Sequence, residues 1–359
     1  MRRLPEQYFM ALLARVAAAA VEDGEPLVDL GRGNPETGPP AHVVEALSAA
    51  AARPDVHGYA PFAGLMALKE AIAGRYRDVY GVELDPEREV AVVPGSKTGL
   101  MEFALVCVER GETILLPDPG YADYPSAVAL AGALRDSFTG FDAIDPAAAL
   151  YLNYPGNPTA EAAPDGVFAA AVEWAGRTGA VILHDFAYGD LVFDGRRPES
   201  FLAADGAREV GVELFSMSKS YGMAGWRLGF VLGNAEIVGR IETLQDHVFA
   251  GIFRPIQEAG IAALTGSQES VDERRATYER RRDRALEALR GVEAQSEGTF
   301  FVWFRLPDGI TAAQLLTEQR VAVAPGAGFG ERGHGWARLS LAVTDETLEA
   351  GLSRLAKAL

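Results

Sequence analysis

Ser216-Met-Ser218-Lys219-Ser-Tyr-Gly-Met-Ala-Gly225-Trp-Arg227 follows the apolar run Val212 to Phe215. A lysine placed after a buried strand, among hydroxyls and glycines, differs from the lysines of solvated helix faces. A lysine amine becomes nucleophilic when its surroundings lower its pKa, which suits it to Schiff-base chemistry with a carbonyl. The serines and Arg227 are phosphate-binding types, and Arg227 offers a charge-assisted, bidentate contact. The bland alternative is a structural lysine in a turn.

Working outward, short apolar runs recur with helical patterns between them. Strands are expected at Val90 to Val93, Thr113 to Leu116, Leu150 to Asn153, Val181 to His184, Val212 to Ser216 and Leu228 to Leu232. Helices are expected at Thr98 to Glu109, Asp165 to Thr178 and Ala235 to Phe249. This alternation predicts an α/β fold with three α/β/α layers and a mostly parallel sheet, whose ligand sits at the strand C-terminal ends. The last third instead reads as α+β: a long charged helix, Val271 to Arg290, then Thr299 to Trp303, a helix, and Arg338 to Leu341. We therefore expect a large domain over 36–257 and a smaller α+β domain built from both chain ends, 1–35 and 258–359.

Composition narrows the class. The chain has 359 residues and a net charge of −17, which disfavours nucleic acid and anionic lipid as partners. Cys107 is the single cysteine, so neither a disulfide framework nor a cysteine-based metal site can form. Arg2-Arg3 before Phe9 to Val21 loosely mimics a leader, but Glu6 and Arg15 interrupt it and its apolar spacing is helical. No apolar run reaches membrane-spanning length. The expectation is a cytoplasmic enzyme.

Further candidates lie just after the expected strands. His184-Asp185-Phe-Ala-Tyr188 puts a carboxylate where it can enter the ligand crevice; the bland alternative for Asp185 is a helix N-cap, and His184 reads equally as a core histidine or a cofactor contact. Asn153-Tyr-Pro-Gly-Asn157-Pro-Thr159 alone reads as a turn. Pro94-Gly95-Ser96-Lys97-Thr98-Gly99 opens a helix, where backbone N–H groups and the dipole favour phosphate, or it is an ordinary βα loop. Pro117-Asp-Pro-Gly-Tyr121-Ala-Asp-Tyr124 brings aromatics able to stack on a ring. Tyr59 and Arg338, each taken alone, read as surface residues. Gly31-Arg-Gly33 lacks the third glycine of a dinucleotide fingerprint, since position 36 is Glu, and a nicotinamide cofactor is rejected.

Together, in order and over essentially the whole chain, these segments resemble the class I/II, fold-type-I aminotransferases that depend on pyridoxal 5′-phosphate (PLP). The resemblance implies that Lys219 holds PLP as a Schiff base and moves the substrate proton, with Arg227, Ser216 and Ser218 on the phosphate. Ser96, Lys97 and Thr98 complete the phosphate cup. Asp185 would face the ring nitrogen, Tyr188 and Asn157 the phenolic oxygen, and Tyr124 would stack on the ring while Tyr121 shapes the loop. Arg338, with Gly33 and Asn157, would hold the α-carboxylate of an amino acid. Tyr59 would reach the neighbouring subunit's phosphate, implying a homodimer. The implied reaction is ping-pong transfer of an amino group between an α-amino acid and a 2-oxo acid. A β-lyase or oxidase on the same scaffold and a non-enzymatic PLP-binding regulatory module are the alternatives.

Within the family, Leu4-Pro-Glu-Gln-Tyr-Phe9, His184 to Gly189 and Asp246-His247 most resemble the methionine-salvage enzymes acting on glutamine and 4-methylthio-2-oxobutanoate. The Gly-Ser-Lys turn and Pro-Asp-Pro-Gly-Tyr also resemble the LL-diaminopimelate type. Three departures stand out. Ala160 replaces a family glycine, which should matter little to the chemistry. The stretch from Leu134 to Leu150 is short. Arg254 stands where relatives carry a small residue; it is expected either to read a polar group on the substrate of the adjoining subunit or to form an interface salt bridge.

Overall fold

The structure is a computed structural model that describes residues 4–21, 25–138, 140–141 and 147–359. Arg2, Arg3 and part of the shortened stretch after Leu134 lie outside the described residues. The chain begins with α1 (Tyr8–Ala20) and β1 (Val28–Asp29), then α2 (Ala41–Ala51) and α3 (Met66–Arg75). The large layered unit follows: β2 (Val90–Val93), α4 (Ser96–Cys107), β3 (Thr113–Pro117), α5 (Tyr124–Ala131), β4 (Leu134–Phe138), β5 (Ala149–Leu152), α6 (Val167–Thr178) and β6 (Val181–Phe186). It continues through α7 (Ala207–Val210), β7 (Gly211–Ser216), α8 (Met217–Ser220), β8 (Gly229–Gly233), α9 (Ala235–Val248) and α10 (Arg254–Thr265). The remainder comprises α11 (Glu269–Ala288), β9 (Ala294–Gln295), β10 (Phe301–Arg305), α12 (Ala312–Thr317), β11 (Val321–Ala322), β12 (Ala324–Pro325), β13 (Trp336–Ser340) and α13 (Asp345–Ala358).

The seven-stranded sheet runs β2-β8-β7-β6-β5-β3-β4. Only β8 opposes its neighbours; the other pairings are parallel. Buried on both faces, these strands read as continuous apolar runs, and β2, β5, β7 and β8 are buried throughout. The exception is β4, Leu-Arg-Asp-Ser-Phe, an edge strand that is exposed over most of its length. It has no apolar run to read, and so went unforeseen. Helix ends follow local chemistry. Asn234 accepts from the Glu236 and Ile237 N–H groups to start α9, both at 3.1 Å, and Thr311 with Gln314 forms a capping box on α12. Gly179, at φ 75°, closes α6.

A second sheet, β12-β13-β10-β9, is antiparallel, and β1 pairs in parallel with β11. Val28 and Leu30 therefore share an apolar core with Phe300, Phe301, Val302, Phe304, Leu339 and Leu352, and the N-terminal segment joins the C-terminal third. The α10 helix packs on α2 and α3. Val271 of α11 still belongs to the core of the large sheet, whereas Tyr278 and Ala285 belong to the other. The chain passes from one core to the other along α11.

Candidate active site

Parallel strands end on one side of a sheet, so the loops after β2, β3, β5, β6 and β7 converge there. A cavity of about 570 Å³ opens at that edge, lined by Ser96, Tyr121, Asn157, Asp185, Tyr188 and Lys219 among others. Its far side is formed by Gly31, Gly33, Phe301 and Arg338, and α1 covers it with Phe9, Leu12, Leu13 and Val16.

Lys219 projects from the one-turn helix α8. Its Nζ donates to the Gly33 carbonyl at 2.9 Å and lies 5.2 Å from the Phe300 ring centroid. Burial, with the Arg338 and Arg227 cations nearby, brings its amine down to about 8. Asp185 is buried near the end of β6. Its Oδ2 accepts from the Tyr124 hydroxyl at 2.9 Å and its Oδ1 from the Ala187 N–H at 3.2 Å. Burial nonetheless raises its carboxyl above the ordinary range, so a cation placed beside it would be strongly favoured.

Arg338 is only 1% exposed. Nη1 donates to Asn157 Oδ1 at 2.6 Å and Nη2 to the Gly31 carbonyl at 3.2 Å. The guanidinium stacks 3.8 Å from the Phe301 centroid. Among the described residues no carboxylate pairs with it, and its Nε is buried without a partner. Burial lowers its pKa to about 10. A buried cation lined up with amide and carbonyl oxygens only is short of an anion. Gly33 keeps this corner open: a Cβ there would meet Phe301 Cζ at 3.2 Å and Arg338 Nη2 at 3.6 Å.

The phosphate-type residues meet at the start of α4. Gly95, at φ 83°, has no Cβ, and one would lie 2.2 Å from Arg227 Nη2. Arg227 itself is held in the left-handed region, at φ 56°, a strained state for arginine. Ser216 and Ser218 are buried beside it, Ser216 accepting from the Ser218 N–H at 3.2 Å. The structure separates the rest of the expected cup: Ser96 lines the cavity, Thr98 turns its hydroxyl back to the Pro94 carbonyl at 3.2 Å, and Lys97 pairs with buried Asp123 at 2.8 Å.

Two aromatic expectations change. Tyr124 does not face the cavity; it is 1% exposed and supports Asp185 from behind. Tyr121, read from the sequence as loop structure, lines the cavity and is the aromatic available to stack. Pro125 marks Tyr124 as the first residue of α5, and the helix turns that side chain into the core. His184 is a core residue, its Nδ1 2.7 Å from Glu213 Oε2. Tyr59 is 88% exposed and lies outside this chain's cavity. Arg254 also lies outside it, donating to Glu258 at 2.9 Å with Asp55 at 3.6 Å. Ala160 adopts φ 55°, which explains the glycine expected there. Its carbonyl still accepts from the Glu297 and Gly298 N–H groups.

The sequence profile of the family "Aminotransferase class I and II" matches residues 25–355. The chain belongs to this family. It is 41% identical to the L-glutamine–4-(methylsulfanyl)-2-oxobutanoate aminotransferase of Bacillus subtilis, covering 99% of this chain and 95% of that protein. It is 37% identical to the LL-diaminopimelate aminotransferase of Moorella thermoacetica, over 100% and 97% of the two. Among solved structures, substrate-bound BacF from Bacillus subtilis superposes with a TM-score of 0.92 at 37% identity, covering 99% of this chain and 95% of that one. The protein is thus a fold-type-I, PLP-dependent aminotransferase, and neither the lyase, the oxidase nor the regulatory alternative is favoured.

The residues of this aminotransferase fit the family's cofactor. The amine of Lys219 and the carboxylate of Asp185 face one cavity, the space left by Gly95 lies under Arg227, and α4 presents its N-terminus at Ser96. Among the described residues no group of His, Cys, Asp and Glu could hold a metal ion, and no helix is long and apolar enough to cross a membrane.

Proposed function

We propose that this chain holds PLP on Lys219, exchanges the amino group of an α-amino acid for the keto group of a 2-oxo acid, and works as a homodimer. The observation that carries the reading is the facing pair across one cavity: Lys219, with Asp185 behind it, and the unpaired buried Arg338. When bound, the cofactor supplies a carbonyl for the amine and a ring that withdraws electrons from the substrate Cα. Arg227, Ser216, Ser218 and Ser96 are the groups for its phosphate. Asp185, held by Tyr124, would face the ring nitrogen and favour its protonated form, Tyr188 and Asn157 would serve the phenolic oxygen, and Tyr121 would be the aromatic for the ring.

Arg338 and Asn157 orient the substrate through its α-carboxylate. Lys219 Nζ, released once the substrate amine takes its place on the cofactor, would take the Cα proton as a base and then give it back as an acid. The α1 residues exclude water from this transfer. The apolar wall of Phe9, Leu12, Leu13 and Val16 suits a thioether chain better than a second amino-carboxylate end. We therefore favour glutamine and 4-(methylsulfanyl)-2-oxobutanoate over LL-diaminopimelate.

Half-reactions test the reading. Each amino acid, added alone, should remove the absorbance of Lys219-bound cofactor and leave the amino form, and a 2-oxo acid should restore it. Initial rates with both substrates should give parallel double-reciprocal lines; intersecting lines would reject it. The dimer is tested by mixing inactive Lys219→Ala and Tyr59→Ala proteins. Subunit exchange should restore activity, because one site of the hybrid has both residues intact. No recovery after proven exchange would exclude Tyr59 from the adjoining site.

A further inference from the structure

The cavity contains three cationic side chains, Lys219, Arg338 and Arg32, and the chemistry proposed above uses two. Arg32 stands between the residues that serve those two: the Gly31 carbonyl accepts from Arg338 Nη2 at 3.2 Å and the Gly33 carbonyl from Lys219 Nζ at 2.9 Å. Its backbone is thus next to the places for the α-carboxylate and the α-amine, and Arg32 itself lines the cavity.

Asp29 sets the direction of that side chain. Its Oδ1 accepts from the Gly31 N–H at 2.9 Å and its Oδ2 from Arg32 Nε at 2.5 Å. Only Nε is engaged; among the described residues neither terminal amino group of Arg32 has a hydrogen-bond partner. The side chain is 62% exposed, so it can swing about this tether. The other acids of the cavity are committed elsewhere. Glu36 accepts from the Tyr278 hydroxyl at 3.0 Å and pairs with Arg281, and Asp185 is held by Tyr124 and Ala187. The α1 residues that line the same cavity, Phe9, Leu12, Leu13 and Val16, are apolar.

We infer that Arg32 determines specificity for the far end of the amino donor, its terminal amino groups donating to a side-chain oxygen of a carboxylate or carboxamide. The inference rests on the aminotransferase reading of the cavity. A carboxylate takes two such bonds from the planar fork and a carboxamide oxygen one. With a thioether or aliphatic substrate, Arg32 swings toward solvent and the α1 wall alone meets the chain. One cavity thereby serves a polar donor and an apolar acceptor in turn.

The test is Arg32→Met, which keeps length and removes the donors, with Arg32→Lys as a second variant. Half-reaction kinetics are measured with glutamate, glutamine, methionine and leucine, and binding of glutarate and of 4-methylpentanoate to the PLP-loaded protein by calorimetry. The discrimination ratio, kcat/KM for glutamine or glutamate over that for methionine, should fall about tenfold in Arg32→Met, through KM and more for glutamate. Glutarate affinity should fall about tenfold relative to 4-methylpentanoate, and Arg32→Lys should recover part of both. An unchanged ratio, or equal losses on all ligands, overturns the assignment. Failure of the aminotransferase reading is seen separately, as wild-type protein that keeps its Lys219-bound absorbance with all four amino acids; the calorimetric comparison still reads Arg32.

Discussion

Replacing Glu102 by glutamine should stabilise the protein in mildly alkaline solution and hardly at all in acid. Glu102 lies within α4, whose first residue is Ser96, and is 4% exposed. Its one side-chain partner is Gln245 of α9, whose Nε2 donates to Glu102 Oε2 at 3.0 Å and to the Val92 carbonyl at 3.1 Å. Burial raises the carboxyl from 4.5 to about 7, against the opposing effect of the Gln245 hydrogen bond. Between those values the native state holds a proton that the unfolded chain has lost. Stability therefore falls as pH rises from about 4.5 to about 7 and stays lowered above. Each pH unit of that interval is worth about 1.36 kcal/mol, so the full cost is about 3 kcal/mol. Glutamine carries no charge and keeps an oxygen for Gln245. The expected gain is about 3 kcal/mol at pH 8.5 and under about 1 kcal/mol at pH 5. Unfolding of the PLP-loaded wild type and variant at both pH values checks it, since all other titrations cancel in the difference. A gain independent of pH, or a loss at pH 8.5, would refute the reasoning.

Three further outcomes follow from the site. Burial and the Arg338 and Arg227 cations bring the Lys219 amine down to about 8, so the rate of PLP capture should rise with pH and level off above about 8, and Arg338→Met should move that midpoint upward by removing a repelling cation. Stopped-flow absorbance from pH 6 to 10 reads both; a midpoint near the usual lysine value would contradict them. Arg338→Met should also lower kcat/KM for every amino acid by about 100-fold or more, the loss of a buried charged contact of some 3 kcal/mol, while leaving PLP bound. Tyr124→Phe leaves Asp185 Oδ2 without its donor and should lower kcat by about tenfold, a cost of about 1–2 kcal/mol, whereas Tyr121→Ala should act mainly on PLP retention. Equal effects in the two variants would dissolve the distinction between them.

Much of this architecture was legible because buried parallel strands are apolar runs and the chemistry follows each run directly. Lys219 follows β7, Asn157 follows β5, and Asp185 lies one residue before the end of β6. One offset rule, function just after the strand, places all of them on one edge. The same rule is silent on rotation. Tyr121 and Tyr124 both follow β3, three residues apart, and family resemblance assigned the ring to the wrong one. What separates them is whether the residue precedes or begins the helix, and Pro125 was the available signal. The side chain of Lys97 is another case: a basic residue in a phosphate turn is indistinguishable from one that neutralises a buried acid until Asp123 is located beside it. The exposed edge strand β4 offered no periodic signal at all.

Charge carries the last step. The chain as a whole bears −17, yet Lys219, Arg338 and Arg32 meet in one cavity. Long-range charge is screened beyond about 8–10 Å, so what a small anion experiences at the cavity is the local set. Sequence composition reports only the sum, which bears on large anionic partners and not on a small ligand in a pocket. Folding brings residues 32, 219 and 338 together there, beside Asp29, Glu36 and Asp185, so the cavity is locally balanced in a chain that is strongly acidic as a whole. The three cations differ by what already holds them. Lys219 is held by a carbonyl, Arg338 by a carbonyl and an amide oxygen, and Arg32 by a carboxylate. Only Arg32 is already neutralised, so only Arg32 can release an apolar substrate without leaving an uncompensated charge behind.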